Sequence, residues 1–290
     1  MKYIDLHVHS NISDGTLTPT EVVLLAAKSN LSAIALTDHD TVAGLEEAIK
    51  AAKDLEKEGK QIRIVEGVEI SADYKGKDIH ILGLLIDTKH QGLISALEKA
   101  LKNRDERNEK MASKLRAAGI DISLEDLTFK EPNTVITRAH FARFLFEHGY
   151  VKTRNEAFEK YLGENCPYYV PREYLTPKDA ISLIKQAGGI PVLAHPLLYN
   201  FSSNELEELV RYLKELGLVG IETIYSANSG SDESTIRELA QRYDLLMTGG
   251  SDYHGANKPN LAIGIGKGNL EIPYSMLDAL DQYKKEHLHE

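Results

Sequence analysis

One cysteine, Cys166, is all that the chain has in 290 residues. It excludes an intramolecular disulfide and fits a reducing compartment, so a cytoplasmic location is expected. No apolar run approaches the roughly 20 residues that a membrane span needs. The first residues, MKYIDLHVHS, lack the basic and apolar regions of a secretory signal, and none is expected. Internal repeats and low-complexity tracts are missing too. Basic residues are in the minority: 34 Lys and Arg against 44 Asp and Glu leave a formal net charge of −10. Proteins that grip long duplex nucleic acid show a basic face, so such a partner is not expected. The same balance leaves room for a small phosphorylated substrate, because bound divalent cations would offset acidic charge where such an anion must sit.

What the chain does have is a rhythm. Short apolar runs alternate with amphipathic segments that carry helix start and stop signals, which is the pattern of a parallel sheet wrapped by helices. Thr18 reads as an N-cap, Pro19 as the first helical residue and Glu21 as the capping-box partner. A second helix is expected from about Thr41 to Glu58, stopping at Gly59. Thr176-Pro177-Lys178-Asp179 repeats the start signal before a helix that ends at Gly188-Gly189. At 42% apolar and 27% charged residues, the length suits one barrel with a modest insertion. The rhythm breaks between residues 99 and 170, where a charged helix (Ala100–Gly119, with Leu101, Met111 and Leu115 as its apolar contacts) precedes short pieces at Ser123–Leu127, Thr137–Gly149 and Thr153–Leu162. The expected division is a barrel of residues 1–98 and 171–290, with a small helical domain of residues 99–170 inserted.

Histidines and acids recur where the apolar runs end. His7 and His9 follow KYIDL, and Asp38, His39 and Asp40 follow AIALT. Glu69 closes IRIVEGV, and His80 lies inside DIHIL. His195 follows PVLA, and Asp252 and His254 follow LLMTGG. In a barrel, catalytic residues come from the ends of different strands on one face. His7 and His9 are two apart, so on a strand both imidazoles face the same side and can share one ion. Asp14 lies in a Ser-Asp-Gly turn that can curl back over them. Imidazole with carboxylate suits Zn, Mn or Fe. A lone strand histidine is ordinarily a hydrogen-bonded core residue; the ordered set is what points to a metal centre. Asp38 and Asp40 read as supporting or helix-capping residues, and Glu222 ends a strand without an assignable ligand role. His90, His148, His287 and His289 read as surface residues.

In order, Asp5-Leu6-His7-Val8-His9-Ser10, Thr37-Asp38-His39-Asp40, Gly67-Val68-Glu69, Ala194-His195-Pro196 and Gly250-Ser251-Asp252-Tyr253-His254 resemble the motifs of the PHP (polymerase and histidinol phosphatase) family over essentially the whole chain. The resemblance is nearest to its nucleoside 3′,5′-bisphosphate phosphatase and 5′→3′ exoribonuclease branch. Ile136-Thr137-Arg138-Ala139-His140-Phe141-Ala142-Arg143, and Lys160-Tyr161-Leu162 with Tyr169-Val170-Pro171, carry that closer likeness. It implies an α/β fold, a distorted seven-stranded TIM-like barrel, with three divalent ions. One ion is assigned to His7, His9, Glu69 and Asp252, a second to Glu69, His80 and His195, and a third to Asp14, His39 and His254. Asp14 stands where some members have histidine. The reaction implied is hydrolysis of a phosphate ester by a hydroxide held between the two ions that share Glu69, since metals neutralise the anion and acidify bound water. His195 and His254 are candidate proton donors.

Selectivity then falls to the insertion. Arg104 and Arg107 are three apart and share a helix face, and Arg138, His140 and Arg143 follow. Guanidinium forks suit a second phosphate. The expected substrate is a nucleoside 3′,5′-bisphosphate, losing its 3′-phosphate while the arginines hold the 5′-phosphate. The alternatives are a 5′→3′ exoribonuclease on short 5′-phosphorylated RNA, a histidinol-phosphate phosphatase (which would need an acidic pocket for the amine), and a metal-binding module without turnover.

Overall fold

A computed structural model describes residues 2–129, 134–171, 173 and 175–288; His289 lies outside them. Seven strands form one sheet in chain order: β1 (Tyr3–Val8), β2 (Leu31–Leu36), β3 (Arg63–Tyr74), β4 (Lys77–Leu84), β5 (Ile190–Leu193), β6 (Gly220–Tyr225) and β7 (Leu246–Gly250). Val8 bridges Tyr253 just beyond β7, with Asp252 N donating to His7 O at 2.8 Å and His9 N to Tyr253 O at 3.0 Å, so the sheet curls into a nearly closed barrel. In β1, β2, β5 and β6 almost every residue is buried. Strands covered on both faces need such runs, which is why the sequence shows apolar blocks there in place of alternation.

The barrel is not parallel throughout. β4 runs antiparallel to both β3 and β5, while the other pairs are parallel. No helix separates β3 from β4. Lys75 (φ 53°) and Gly76 (φ 81°) make a two-residue hairpin turn, and a hairpin reverses direction where a crossover helix would have kept it. The strand reading of IRIVEGV is corrected with it: β3 continues five residues past Glu69 to Tyr74. Glu69 is therefore mid-strand, and the hairpin brings His80, paired with Ser71, back beside it.

Ten α-helices are described: α1 (Pro19–Lys28), α2 (Leu45–Lys57), α3 (Gln91–Ala117), α4 (Leu124–Leu127), α5 (Arg138–Glu147), α6 (Arg154–Ala157), α7 (Pro177–Gln186), α8 (Ser203–Leu216), α9 (Asp232–Arg242) and α10 (Ser275–His287). α1 begins as read, with the Thr18–Glu21 capping box and Pro19 in the first turn, and α7 is capped by Thr176. α2 starts later than expected. Asp40 takes a positive φ of 53°, and the chain turns through Gly44 before the helix begins. The side chain of Asp40 does not cap α2; it accepts from Ser71 N at 3.0 Å. His90, read as a surface residue, caps α3 by accepting from Leu93 N at 3.1 Å.

α3 runs unbroken for 27 residues through position 99, so it belongs to the barrel at its start and to the inserted segment at its end. Ser123, Thr137 and Thr153 cap the three short helices that follow, and a π-helical turn (Phe158–Leu162) extends the last of them. Met111, Leu115, Phe141, Leu145 and Leu162 pack into an apolar cluster of their own, separate from those of the barrel.

Arg104 and Arg107 do share a face of α3, but both are buried. Arg104 reaches the carboxylate of Asp40, with Ser71 Oγ at 3.4 Å, and so ties α3 to the strand ends next to His39. Removing one partner of a buried ion pair leaves the other uncompensated, at a cost of about 3–5 kcal/mol. Arg104→Ala is therefore expected to lower unfolding stability in urea by about that amount; a loss below about 1 kcal/mol, the level of an exposed pair, would show that the tie does not hold the helix.

Candidate metal centre

Every histidine and carboxylate singled out as a ligand lies at one mouth of the barrel, and Glu69 stands in the middle. Its Oε1 is 2.8 Å from His80 Nδ1, 2.9 Å from His195 Nε2 and 3.4 Å from His7 Nε2; its Oε2 is 3.0 Å from His39 Nδ1 and 3.2 Å from His9 Nε2. Asp252 Oδ1 lies 3.7 Å from His7 Nε2 and 3.5 Å from His9 Nε2. On the far side, Asp14 Oδ1 is 3.0 Å from His254 Nε2, and Asp14 Oδ2 is 3.7 Å from His39 Nε2. His9 and His254 stack with ring centroids 4.1 Å apart. Elements far apart in sequence build this: β1 supplies His7, the segment after it His9 and Asp14, β3 Glu69, β4 His80, and the segments after β2, β5 and β7 the rest.

The residues fit divalent ions. His7 Nε2, His9 Nε2, Asp14 Oδ1, His39 Nδ1 and Glu69 Oε2 are buried and make no hydrogen bond. Buried polar atoms without partners are rare in folded proteins, and here they face one another. Two atoms each about 2.1 Å from a tetrahedral ion stand roughly 3.4 Å apart, close to the His7–Glu69 and His9–Glu69 separations. Among the described residues, ligand atoms gather within 4.8 Å in three groups: His9, Asp14, His39 and His254; His7, His9 and Glu69; and His39, Glu69 and His80. The expected sets are thus brought together with two differences. His9 and His39 each serve two groups, while His195 and Asp252 approach the same atoms from outside them.

Charge is balanced inside the site. Burial alone would raise Glu69, but His80, His39 and His7 hold its carboxyl well below the ordinary range. Asp14 and Asp252 are treated alike: burial opposes their ionisation, and His254 for Asp14 and Lys258 for Asp252 overcome it. Burial pushes the His39 imidazole down to about 3. For His80 burial works in the same direction, but Glu69 and Asp78 overcome it and raise the imidazole to about 10. Deprotonated carboxylates and imidazoles are the ligand forms, so metal entry would release the protons that now offset the acids.

Residues without a ligand role hold the ligands in place. Glu222 is 1% exposed. It accepts from His7 Nδ1 at 3.1 Å, which directs Nε2 at the cluster, and from the backbone N–H of His195 at 2.8 Å. Gly250 permits this approach, since a Cβ there would stand 2.1 Å from the Cβ of His7 and 2.8 Å from Glu222 Oε1. Asp38 accepts from Ser10 N (2.8 Å), Ser10 Oγ (2.7 Å) and Ser13 Oγ (2.6 Å), and so fixes the loop that carries Asp14. Asp5 accepts from Ser251 N at 2.8 Å and Gly264 N at 2.7 Å, and joins β1 to the Asp252 loop. Asp252 Oδ2 accepts from Tyr225 Oη at 2.7 Å and from Lys258 Nζ at 2.5 Å. His195 (φ 27°) and Asp252 (φ 54°) both have left-handed backbones, strain that the surrounding contacts must hold and that is typical of functional sites.

The candidate substrate residues fare unevenly. Arg104 and Arg107 are buried, because the apolar side of α3 faces the fold and carries them with it. Arg138 lies nearer the mouth, 3.4 Å from Asp78 Oδ2. His140 is 5% exposed, and its Nδ1 accepts from Thr137 N at 3.0 Å. Thr137 Oγ1 in turn donates to Asp14 Oδ2 at 2.9 Å. The sequence alone assigned no role to Glu222 or Lys258. The one available signal was that Glu222, like the ligands, is an acid within an otherwise apolar strand.

A barrel whose mouth gathers six histidines and three carboxylates in this order of strands defines a metal-dependent phosphoesterase fold. The PHP domain family matches residues 5–165, and the chain belongs to it. It is 35% identical over 282 residues to a 5′-3′ exoribonuclease of Haemophilus influenzae, covering 97% of this chain and 99% of the relative. It is 36% identical over 265 residues to a 3′,5′-nucleoside bisphosphate phosphatase of Chromobacterium violaceum, covering 91% of each. A solved structure from Bifidobacterium adolescentis, described as a metal-dependent phosphoesterase, superposes with a TM-score of 0.84 at 30% identity, over 96% of this chain and 95% of that one.

Two outcomes are expected. Glu222→Gln should weaken Mn²⁺ binding about 10–100-fold in competition with a chromogenic chelator, the usual effect of losing a group that orients a ligand; unchanged affinity would mean that Glu222 does not set the His7 ring. The second concerns pH. His80 has a folded pKa of about 10 against 6.5 for an ordinary histidine, so its imidazolium contributes stability below 6.5 and loses it as pH rises to about 10. Thermal unfolding of metal-free protein should thus move to lower temperature between pH 7 and 10, and His80→Ala should flatten that slope. An equal slope in the variant would assign the effect elsewhere.

Proposed function

We propose that the chain is a cytoplasmic phosphatase that removes the 3′-phosphate of a nucleoside 3′,5′-bisphosphate, such as adenosine 3′,5′-bisphosphate, leaving 5′-AMP and phosphate. The observation that carries this is the convergence of five imidazoles on the Glu69 carboxylate, with Asp14 and Asp252 on either side. The relative from C. violaceum named for this activity supports the choice of substrate.

Three divalent ions (Mn, Zn or Fe) would be held by His7, His9, Glu69 and Asp252; by Glu69, His80 and His195; and by Asp14, His39 and His254, with His9 and His39 close enough to take part in a neighbouring set. When bound they supply charge neutralisation for the phosphate and acidification of a water. The chain's own residues do the rest. Glu69 spans the sites and fixes their spacing. Glu222 keeps His7 facing inward and fixes the backbone of His195. His195 and His254, both buried at the cluster, are the candidate proton donors to the leaving oxygen. Residues 99–170 act as the substrate-recognition unit over the mouth. Adenosine bisphosphates and short 5′-phosphorylated RNA are the partners in view; the second reading, an exoribonuclease, is favoured by the H. influenzae relative, which spans nearly the full chain.

The test is phosphate release from adenosine 3′,5′-bisphosphate beside mononucleotide release from a short 5′-phosphorylated RNA, both with Mn²⁺. Faster turnover of the bisphosphate, abolished by EDTA and restored by Mn²⁺, is expected. Glu69→Gln should reduce it at least roughly 10³-fold, as removal of a central catalytic group does. Faster turnover of the RNA would establish the exoribonuclease. Fully metal-loaded protein that cleaves neither would overturn both.

A further inference from the structure

Tyr199 ends the short 3₁₀ turn, Pro196–Tyr199, that follows His195, and it is buried. The turn returns its phenol to the end of the β4–β5 ladder. These strands pair antiparallel, with Leu82 opposite Val192 and Ile81 opposite Leu193. Continued by one residue, the same register sets His80 opposite Ala194. Bonded pairs in such a ladder exchange two backbone hydrogen bonds. Ala194 N does donate to His80 O, at 3.1 Å. The answering bond is not direct: His80 N donates to Tyr199 Oη at 2.9 Å, and Tyr199 Oη donates to Ala194 O at 2.8 Å. One hydroxyl is thus inserted into the ladder. A direct N–H···O bond spans about 2.9 Å, so two bonds through an oxygen hold the same two groups further apart.

The place of insertion matters because of the side chains beside it. His80 carries one of the bridged groups, and Ala194 immediately precedes His195. Both imidazoles converge on Glu69 Oε1, at 2.8 Å for His80 Nδ1 and 2.9 Å for His195 Nε2, with ring centroids 5.1 Å apart. His195 also lacks what His7 has. Glu222 accepts from His7 Nδ1, whereas His195 Nδ1 is buried and meets no hydrogen-bond partner among the described residues. A ligating imidazole is ordinarily aimed through its second nitrogen; for His195 the aim falls to the backbone and to ring contacts. Tyr199 contributes to both. Its ring meets that of His195 edge-on, with centroids 5.6 Å apart, and its hydroxyl fixes Ala194 O. Burial raises the phenol well above its ordinary pKa, so it stays a donor.

We propose that Tyr199 is a positioning residue for the metal site of Glu69, His80 and His195: its hydroxyl sets the spacing of the two strand ends that present these histidines. Without the hydroxyl, the strands either close to a direct bond or leave His80 N and Ala194 O buried without partners. Both outcomes move one imidazole relative to the other. The role rests on the metal-binding part of the function proposed above and does not depend on which phosphate ester is the substrate.

The experiment measures Mn²⁺ binding, from the EPR signal of the free ion, in the parent protein, Tyr199→Phe, His80→Ala and the double variant. Tyr199→Phe keeps the ring and removes the bridge. It is expected to weaken one class of Mn²⁺ sites about 10–100-fold, the usual effect of losing support for a ligand, and to leave the others within about twofold. In the His80→Ala background, where that site is already impaired, the same substitution should shift Mn²⁺ affinity by less than about twofold, because residues that act through one another are not additive. An unchanged isotherm in Tyr199→Phe, or an equal weakening in both backgrounds, overturns the proposal and leaves Tyr199 a packing residue. 4-Aminophenylalanine at position 199, whose amine both donates and accepts, should bind Mn²⁺ as the parent does. Loss of the site in that variant overturns the proposal even where Tyr199→Phe does not fold. Parent protein that takes up no Mn²⁺ would overturn the metal centre itself, and this role with it.

Discussion

One buried carboxylate constrains this molecule more than any other group. Glu69 is fully buried and its two oxygens face five imidazoles drawn from three strand ends and a hairpin. An ionised carboxylate in a protein interior is expensive unless it is paired, and a set of imidazoles alone cannot all be protonated against one another. His39 and His80 show the compromise, one driven down and the other up while both contact the same group. Divalent cations would satisfy both sides, since carboxylate oxygens and neutral imidazole nitrogens both offer them lone pairs.

The fold in turn is organised to hold that arrangement. The β3–β4 hairpin interrupts the parallel barrel and places His80 and Glu69 on adjacent strands. Acids that bind no ion do the holding: Asp38 for the Asp14 loop, Asp5 for the Asp252 loop, Asp40 for α3, Glu222 for His7 and His195. Each stabilises a loop beyond a strand end, where backbone ladders no longer fix the geometry. The left-handed conformations at Asp40, His195 and Asp252 occur at those loops. The segment that starts within α3 has an apolar cluster of its own, and the Arg104–Asp40 pair and the Thr137–Asp14 hydrogen bond are among its contacts with the barrel.

Much of this was legible along the chain. Apolar blocks marked the strands because both faces of a barrel strand are covered, and Ser/Thr caps marked helix starts within a residue or two at α1, α4, α5, α6 and α7. The ligand set was readable because metal binding demands particular side chains at strand ends, so their identities and order carry the information. The direction of β4 was harder. Lys75-Gly76 is a hairpin signal only once the runs on either side are known to pair. The burial of Arg104 and Arg107 was not legible, because charge along a helix says which residues share a face, and not whether that face meets solvent.

By itself the sequence determined the class of architecture, the candidate ligand residues and their order, and the class of metal-dependent phosphoesterase, since these depend on local periodicity and on side-chain identity. Only the tertiary structure decided that Glu69 lies at the centre, that Glu222 orients His7 across 215 residues, and that Tyr199 bridges β4 to the end of β5 while Arg104 supports α3 from within. Those facts depend on distances between segments remote in sequence. Such distances are set by the closure of the barrel and the packing of α3, and no spacing within a single segment encodes them.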